Sequence, residues 1–225
     1  KEIIKKVIGY FQFRKFAKKV LWEHDFDIIV LLQTWSAILL SDILIRHYAR
    51  KYIIDIRDYT YEKDPVIYNI QKNIIAKSRY CVVSSAGYKE FLPSHDYFVV
   101  HNLHKLPSEK VLSIRNRLKE REQLHIGFVG YVNYQKQHKK LMLNLKDDLR
   151  FRLSFIGTRA KELKSFCIQN RIRNVKLIDT FDSSEAIGFY EDVDLVNNLY
   201  GNHTPALDYA LSNKLYFATE LRIPI

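Results

Sequence analysis

Cysteine is scarce in this chain, methionine scarcer still, and a long apolar run is absent. The two cysteines among 225 residues, Cys81 and Cys167, stand far apart with no Cys-x-x-Cys or other ligand spacing. That pattern disfavours a disulfide framework or a zinc site and points to a reducing, cytoplasmic setting. The single methionine is Met142 and the chain opens Lys1-Glu2-Ile3, so it shows no signal-peptide pattern and reads as a piece of a longer protein. Ile223-Pro224-Ile225, which resembles the beginning of a strand, suggests the same at the other end. The longest apolar runs, such as 28–32 and 37–40, fall far short of the roughly 20 residues that a membrane-spanning helix needs. Also missing are G-x-G-x-x-G and G-x-x-x-x-G-K-[S/T], which argues against a standard dinucleotide or P-loop site. Ser84-Ser85 lacks the G-x-S-x-G context of a hydrolase nucleophile.

What is present is core material and positive charge. A hydrophobic content of 47% with 13% aromatic residues excludes a disordered chain and suffices for two small α/β domains or one large one. The formal charge of +11 asks for an anionic partner: nucleic acid, an anionic lipid surface or a phosphorylated small molecule. The basic residues are spread through 1–19, 46–51, 115–121 and 136–140 rather than gathered in a recognisable nucleic-acid motif, which weakens the first choice.

Continuous runs rich in Val, Ile, Phe and Tyr recur at 26–32, 52–56, 80–83, 97–100, 124–129, 151–156, 175–178 and 194–199. Runs that do not alternate with polar residues suit strands covered on both faces. Helical patterns fall between them at 35–50, 66–77, 107–120, 136–146, 159–171 and 183–191, with Pro107, Thr158 and Ser183 as starts. The alternation predicts an α/β fold with mainly parallel sheets. The polar stretch 101–123 is the best boundary, giving an N-terminal domain over 1–105, a connector over 106–122 and a second domain over 123–225. At the N-terminus, Ile3, Ile4, Val7, Ile8 and Phe11 keep helical spacing among lysines and then lose register. That stretch reads as an ordinary packed helix with solvated lysines, an anionic membrane surface being the alternative.

The most informative stretch runs from Asp194 to Tyr216. It reads as a buried strand, a polar loop around Gly201, and a helix whose first turn carries Ser212, Asn213 and Lys214. Backbone N–H groups and an ammonium would there converge on a phosphate. A solvated surface lysine is the competing reading of Lys214. Gly130 and Gly157 close the strands Ile126-Gly-Phe-Val-Gly130 and Leu153-Ser-Phe-Ile-Gly157, on the edge where ligands of open α/β sheets sit, or simply make tight turns. His101 and His104 have no third ligand nearby and suit a domain junction better than a metal. The carboxylates around Asp147-Asp148 and 191–194 suit capping or solvent.

Several segments together resemble bacterial GT-B glycosyltransferases of the group similar to glycosyltransferase family 4, which build capsules and O-antigens. They are Tyr52-Ile-Ile-Asp-Ile-Arg-Asp58, Tyr80-Cys-Val-Val-Ser-Ser85 with Phe91-Leu92, His101-Asn102, the two Gly-ended strands, and Asn213-Lys-Leu-Tyr216 running on to Ile223-Pro224-Ile225. The resemblance implies two Rossmann-like domains facing a cleft and incomplete at both ends, so that this fragment alone would not be fully active. It implies a nucleotide-sugar donor held by the second domain and a glycan or lipid-linked glycan acceptor met by the first. It also implies no cofactor, no metal, no nucleic acid, retention of configuration, and a cytoplasmic protein peripheral to the inner membrane face.

Carried onto this chain, Gly130 and Tyr131 would form the loop near the diphosphate, Lys136 a basic contact for which Lys139 and Lys140 compete, and Gly201 and Asn202 the donor loop. Ser212, Asn213 and Lys214 would face the phosphates. Preorganised N–H dipoles and a cation suit the charge that develops on a departing diphosphate. The chain departs from many relatives in reading Phe217 where a ribose-binding glutamate is expected, and Arg57-Asp58 where they have a histidine followed by Asp. Asp58 would orient or deprotonate an acceptor hydroxyl, and Arg57 would bind an acceptor phosphate or keep Asp58 ionised, unless Arg57-Asp58 is a structural element pairing with its neighbours. The rival functions are a nucleotide-sugar epimerase of the same architecture and a non-catalytic basic module that binds nucleic acid or a partner.

Overall fold

A computed structural model of the chain describes residues 2–116, 122–201 and 203–225. It divides into two compact units, Lys1–Asn102 with His203–Ala210, and Leu103–Asn202 with Leu211–Ile225.

The first unit opens with α1 (Glu2–Glu23) and continues β1 (Ile29–Leu32), α2 (Thr34–Leu39), α3 (Ser41–His47), β2 (Tyr52–Ile56), α4 (Pro65–Lys77), β3 (Tyr80–Val83) and β4 (Tyr97–Val99). The strands form one parallel sheet in the order β1-β2-β3-β4. Leu31, Ile54, Ile56, Cys81 and Val83 fill the core with Leu44 and Ile74 from the helices. The helix expected over 35–50 is two helices that break at Leu40 (φ −105°, ψ 8°). Asp64 caps α4 by accepting from the backbone N–H groups of Val66 and Ile67 at 2.9 and 3.1 Å, with Pro65 at the first helical position where its missing donor is not needed.

The packed-helix reading of the N-terminus holds only for the second half of α1. There Ala17 and Leu21 meet the core, and Arg14 (2.9 Å) and Lys18 both reach Asp42. Ile4, Ile8 and Phe11 are exposed because they lie on the side of the helix turned away from Ala17 and Leu21, and Val7, two heptads before Leu21, is exposed as well. Among the described residues no helix is long and apolar enough to cross a membrane.

Residues His203–Ala210, which include the short α8 (Pro205–Asp208), pack with this first unit, although the sequence reading assigns all of 123–225 to the second. The physical reason is apolar: Tyr209 and Ala210 lie against the core, and the ring of Tyr209 covers Gly87 so closely that a Cβ there would sit 2.9 Å from it.

The second unit runs α5 (Ser108–Arg115), β5 (Leu124–Val129), α6 (Gln135–Leu145), β6 (Phe151–Ile156), a 3-10 turn (Ala160–Leu163) leading into α7 (Lys164–Gln169), β7 (Val175–Ile178), a 3-10 helix (Ser183–Tyr190), β8 (Leu195–Val196) and α9 (Asn213–Leu221). Its sheet is parallel in the order β7-β6-β5-β8. Alternation splits the strands between two apolar layers. Ile126, Phe128, Leu153 and Phe155 pack with Met142, Leu163 and Cys167, and Val129 and Ile156 pack on the other face with Ile187, Tyr190 and Phe217. Two local expectations change. The helix over 183–191 is 3-10 and capped by Asp182 with Glu185 reciprocating, and Thr158 caps nothing because Arg159 precedes the turn at φ 73°. Of the helix expected over 107–120 the structure shows Ser108–Arg115; residues 117–121 lie outside the described residues.

Candidate anion site at a strand-order switch

The order β7-β6-β5-β8 means that the chain moves from β5 to β6 and β7 on one side and later returns to β8 on the other. Loops leaving two such neighbouring strands diverge at their carboxyl ends, and that crevice is where open parallel sheets hold ligands. The loop after β5 carries Gly130 and Tyr131, and the loop after β8 carries Asn197 to Gly201.

Each loop is shaped by glycine. Gly130 (φ 131°) donates its N–H to Ile156 O at 2.8 Å and has open space where a side chain would go. Gly157 (φ 133°), ending β6, lies with its α-carbon against the Gly130 carbonyl, so no Cβ fits. Gly201 (φ 73°) presses on Gln137 in the first turn of α6. Asn197 is buried, donates its N–H to Gly127 O at 2.8 Å and accepts from Leu199 N at 3.0 Å. That local turn ends β8 at Val196, short of the expected strand over 194–199.

The third wall is the start of α9. Ser212 is its N-cap rather than part of its first turn; its hydroxyl accepts from Leu215 N at 3.3 Å and donates to Asn198 Oδ1 at 2.8 Å, which ties the helix start to the β8 loop. Asn213 is exposed. Lys214 is not a solvated surface lysine: it is only 7% exposed, its ammonium lying 4.2 Å from the centre of the Phe128 ring and 5.0 Å from that of Tyr200. No carboxylate pairs with it among the described residues, and burial pulls its pKa down from 10.5 to about 8. A buried cation supported only by aromatic faces is poorly compensated.

Three further groups here carry no motif in the sequence. His138 of α6 is 1% exposed, its ring 4.6 Å from that of Phe128, and neither ring nitrogen makes a well-formed hydrogen bond. Burial pushes its pKa down to about 4, against an opposing pull from the Asn133 backbone and with a further, smaller push from Lys214. The Tyr134 ring meets that of Tyr200 edge-on at 5.5 Å. Arg159 reaches over Tyr131 at 5.7 Å from the ring centre, but its guanidinium is held by Glu162 at 3.0 Å. Its position two residues after a strand-ending glycine was the available signal.

The remaining expected contacts fall out as follows. Lys136 is exposed in the first turn of α6, whereas Lys139 is engaged over the Phe166 ring at 5.2 Å. Asn202 lies outside the described residues. Phe217 stacks 5.0 Å from Tyr190, with planes 8° apart, and 5.4 Å from His104; it is a core residue, and the ring geometry explains why an aromatic stands there. Among the described residues no three His, Cys, Asp or Glu side chains come close enough to share a metal ion.

In the first unit Arg57 and Asp58 follow β2, but they do not pair with each other. Arg57 Nε donates to Asp55 at 2.8 Å, because residues two apart on extended backbone share a face. Asp58 is exposed, and its side chain meets no partner among the described residues. The loop beyond is pinned by Glu62, a buried carboxylate that accepts from Thr60 N at 2.6 Å and from Gln71 Nε2 at 2.7 Å.

No protein-family model matches the chain, and no curated protein matches its sequence. Solved structures do match it. The chain resembles HepE of Anabaena, solved in complex with UDP and glucose, at 14% identity over 80% of this chain and 54% of that one, with a TM-score of 0.57. S. aureus MnaA, solved with UDP, matches at 10% identity over 84% and 57%, with a TM-score of 0.51. A glycosyltransferase from Rickettsia africae ESF-5 matches at 11% over 83% and 55%, with a TM-score of 0.50. The chain thus spans a little over half the length of these structures. At such identities the likeness shows the fold alone, which is two Rossmann-like units with parallel sheets, as in GT-B glycosyltransferases and other proteins of that fold.

Proposed function

We propose that the chain belongs to a glycosyltransferase that moves a sugar from a nucleotide-sugar donor to a lipid-linked glycan acceptor in capsule or O-antigen synthesis, peripheral to the inner membrane face. The observation that carries this reading is Lys214, a buried ammonium without a counter-ion among the described residues, at the mouth of a strand-order switch. A diphosphate supplies the missing negative charge.

In this reading the donor's diphosphate lies against the backbone of Gly130 and Tyr131 and the start of α9. Lys136, Gly201 and Asn213 line the donor, while Ser212 fixes the helix start rather than touching the ligand, since both hydrogen-bonding roles of its hydroxyl are engaged. When the bond between the sugar's anomeric carbon and the phosphate oxygen breaks, the electron pair leaves with the diphosphate. Lys214 and the N–H dipoles of a helix start stabilise that charge without a metal. On the acceptor side, Asp58 accepts the proton of the attacking hydroxyl, and Arg57, already paired with Asp55, positions that loop.

Two neighbours of this fold were solved with UDP, which makes UDP-sugars the first donors to try. The test is incubation of the full-length protein with radiolabelled UDP-sugars and a lipid-linked acceptor extract. Label in the lipid fraction supports the reading, whereas label recovered only as an altered nucleotide sugar would assign an epimerase.

A further inference from the structure

On the second unit, at the amino ends of its strands and so on the edge opposite the β5–β8 crevice, one sheet face is left open. Strand alternation puts His125, Arg152, Ser154, Ile156, Lys176 and Ile178 on this face, and the parallel register sets His125 beside Arg152 and Ser154 beside Lys176. The apolar carboxyl-end half, Ile156 and Ile178, is packed beneath the 3-10 helix Ser183–Tyr190. The polar amino-end half is not, and a pocket of about 1160 Å³ remains over it, walled by Gly188 and Phe189.

The pocket is positive. Arg152 and Lys176 rise from its floor, and Arg171 and Arg173 enter from the turn before β7. None of these four makes an ion pair or a side-chain hydrogen bond among the described residues. Lys146, also in the wall, has Asp147 at 3.7 Å, and Asp192 is the other carboxylate of the lining. Elsewhere in this unit Arg150 pairs with Asp148 at 2.7 Å and Arg159 with Glu162 at 3.0 Å. The floor beneath the four cations is fixed. His125 is buried, with its ring nitrogens 2.8 Å from Ser154 Oγ and 2.6 Å from the Asp192 carbonyl, and its backbone N–H donates to Asp194 at 2.8 Å. Unpaired guanidinium groups around a rigid polar floor suit phosphate, whose oxygens they grip in pairs. One phosphate group brings at most about two negative charges, half of what four cations can balance.

We infer that this pocket binds a small molecule carrying two or more phosphate groups, at a second anion site separate from the donor site. The volume somewhat exceeds the usual range for a small-molecule site, so such a ligand fits whole. Bound there, the anion lies against Arg152 and so beside the His125 ring, which makes that imidazole a built-in reporter.

The test uses the full-length protein with its histidine rings isotopically labelled, saturated with UDP to block the donor site, and titrated with pyrophosphate. Expected are one further pyrophosphate bound, displaced His125 ring signals, and binding at least about tenfold weaker in the double variant Arg173→Glu/Lys176→Glu, both of whose side chains are exposed. Lys214→Met, by contrast, leaves this second event unchanged, which separates it from the donor site. The inference is overturned if UDP-saturated protein takes up no pyrophosphate at millimolar concentration, or if the double variant binds it as the wild type does. It is equally overturned if single-stranded DNA or phosphatidylglycerol vesicles bind through these residues while pyrophosphate does not.

Discussion

The ammonium of Lys214 lies 4.2 Å from the centre of the Phe128 ring, at the end of the strand beside which the sheet reverses its order. An aromatic face attracts a desolvated cation by about 2 kcal/mol or somewhat more, which offsets only part of the several kcal/mol that burying an ammonium costs. The folded chain therefore carries a stability penalty at this point. An anionic ligand is the natural compensation, since binding energy left unused by the fold becomes available to the ligand.

The penalty has a pH signature. Between the folded pKa of about 8 and the ordinary 10.5, the unfolded chain holds a proton on Lys214 that the folded chain has released. Stability from this group consequently rises with pH across that window, and the full penalty, on the order of 3 kcal/mol, is present below pH 8. A bound diphosphate draws the proton back. UDP binding near pH 9 is thus expected to take up protons, measured by calorimetry in buffers of different ionisation enthalpy. A proton count of zero at that pH would separate Lys214 from the ligand.

His138 gives the opposite end of the pH scale. Its folded pKa of about 4 lies below the ordinary 6.5, so the unfolded chain binds a proton there first and stability falls as pH drops through that window, by up to about 3 kcal/mol. His138→Leu removes a ring whose nitrogens lack well-formed bonds. The variant is expected to be about as stable as the wild type or more so at pH 7, and clearly more stable at pH 5 by urea denaturation.

The two strand-ending glycines should respond differently. Gly157→Ala drives a methyl group into the Gly130 carbonyl and keeps an unfavourable φ, so a loss of about 3 kcal/mol or more, or failure to fold, is expected. At Gly130 the space is open and only the backbone strain counts. Gly130→Ala should cost about 1–2 kcal/mol in thermal unfolding and weaken UDP binding further, because its methyl group occupies the crevice.

Asp58 is exposed and its side chain holds no other residue in place, so Asp58→Asn should alter stability by no more than about 0.5 kcal/mol. If it receives the acceptor proton, transfer to acceptor falls at least about a hundredfold while UDP binding stays unchanged. Normal turnover in the variant removes Asp58 from the reaction.

Local and tertiary information separate cleanly along this chain. Strands β2, β3, β5, β6 and β7 have the bounds read from sequence, because continuous Val, Ile, Phe and Tyr runs covered on both faces leave a signal that needs no partner to interpret. The pairing of Arg57 with Asp55 was also legible, since residues two apart share a strand face. Burial of Lys214 was not legible: a lysine in a first helical turn is ordinarily solvated, and Phe128 and Tyr200, brought from other segments, lie over its ammonium. The return of Tyr209 and Ala210 to the first unit is likewise tertiary, because nothing in 203–210 says which core its aromatic ring will meet.

The central claim, that the β5–β8 crevice holds a nucleotide diphosphate on Lys214, is tested most directly by comparing full-length wild type and Lys214→Met at pH 7. Thermal unfolding and UDP titration calorimetry are run on the same samples. The predicted result is a variant that is more stable without ligand, by on the order of 1–3 kcal/mol, and binds UDP at least about thirtyfold more weakly. A variant that binds UDP as tightly as the wild type would contradict the account.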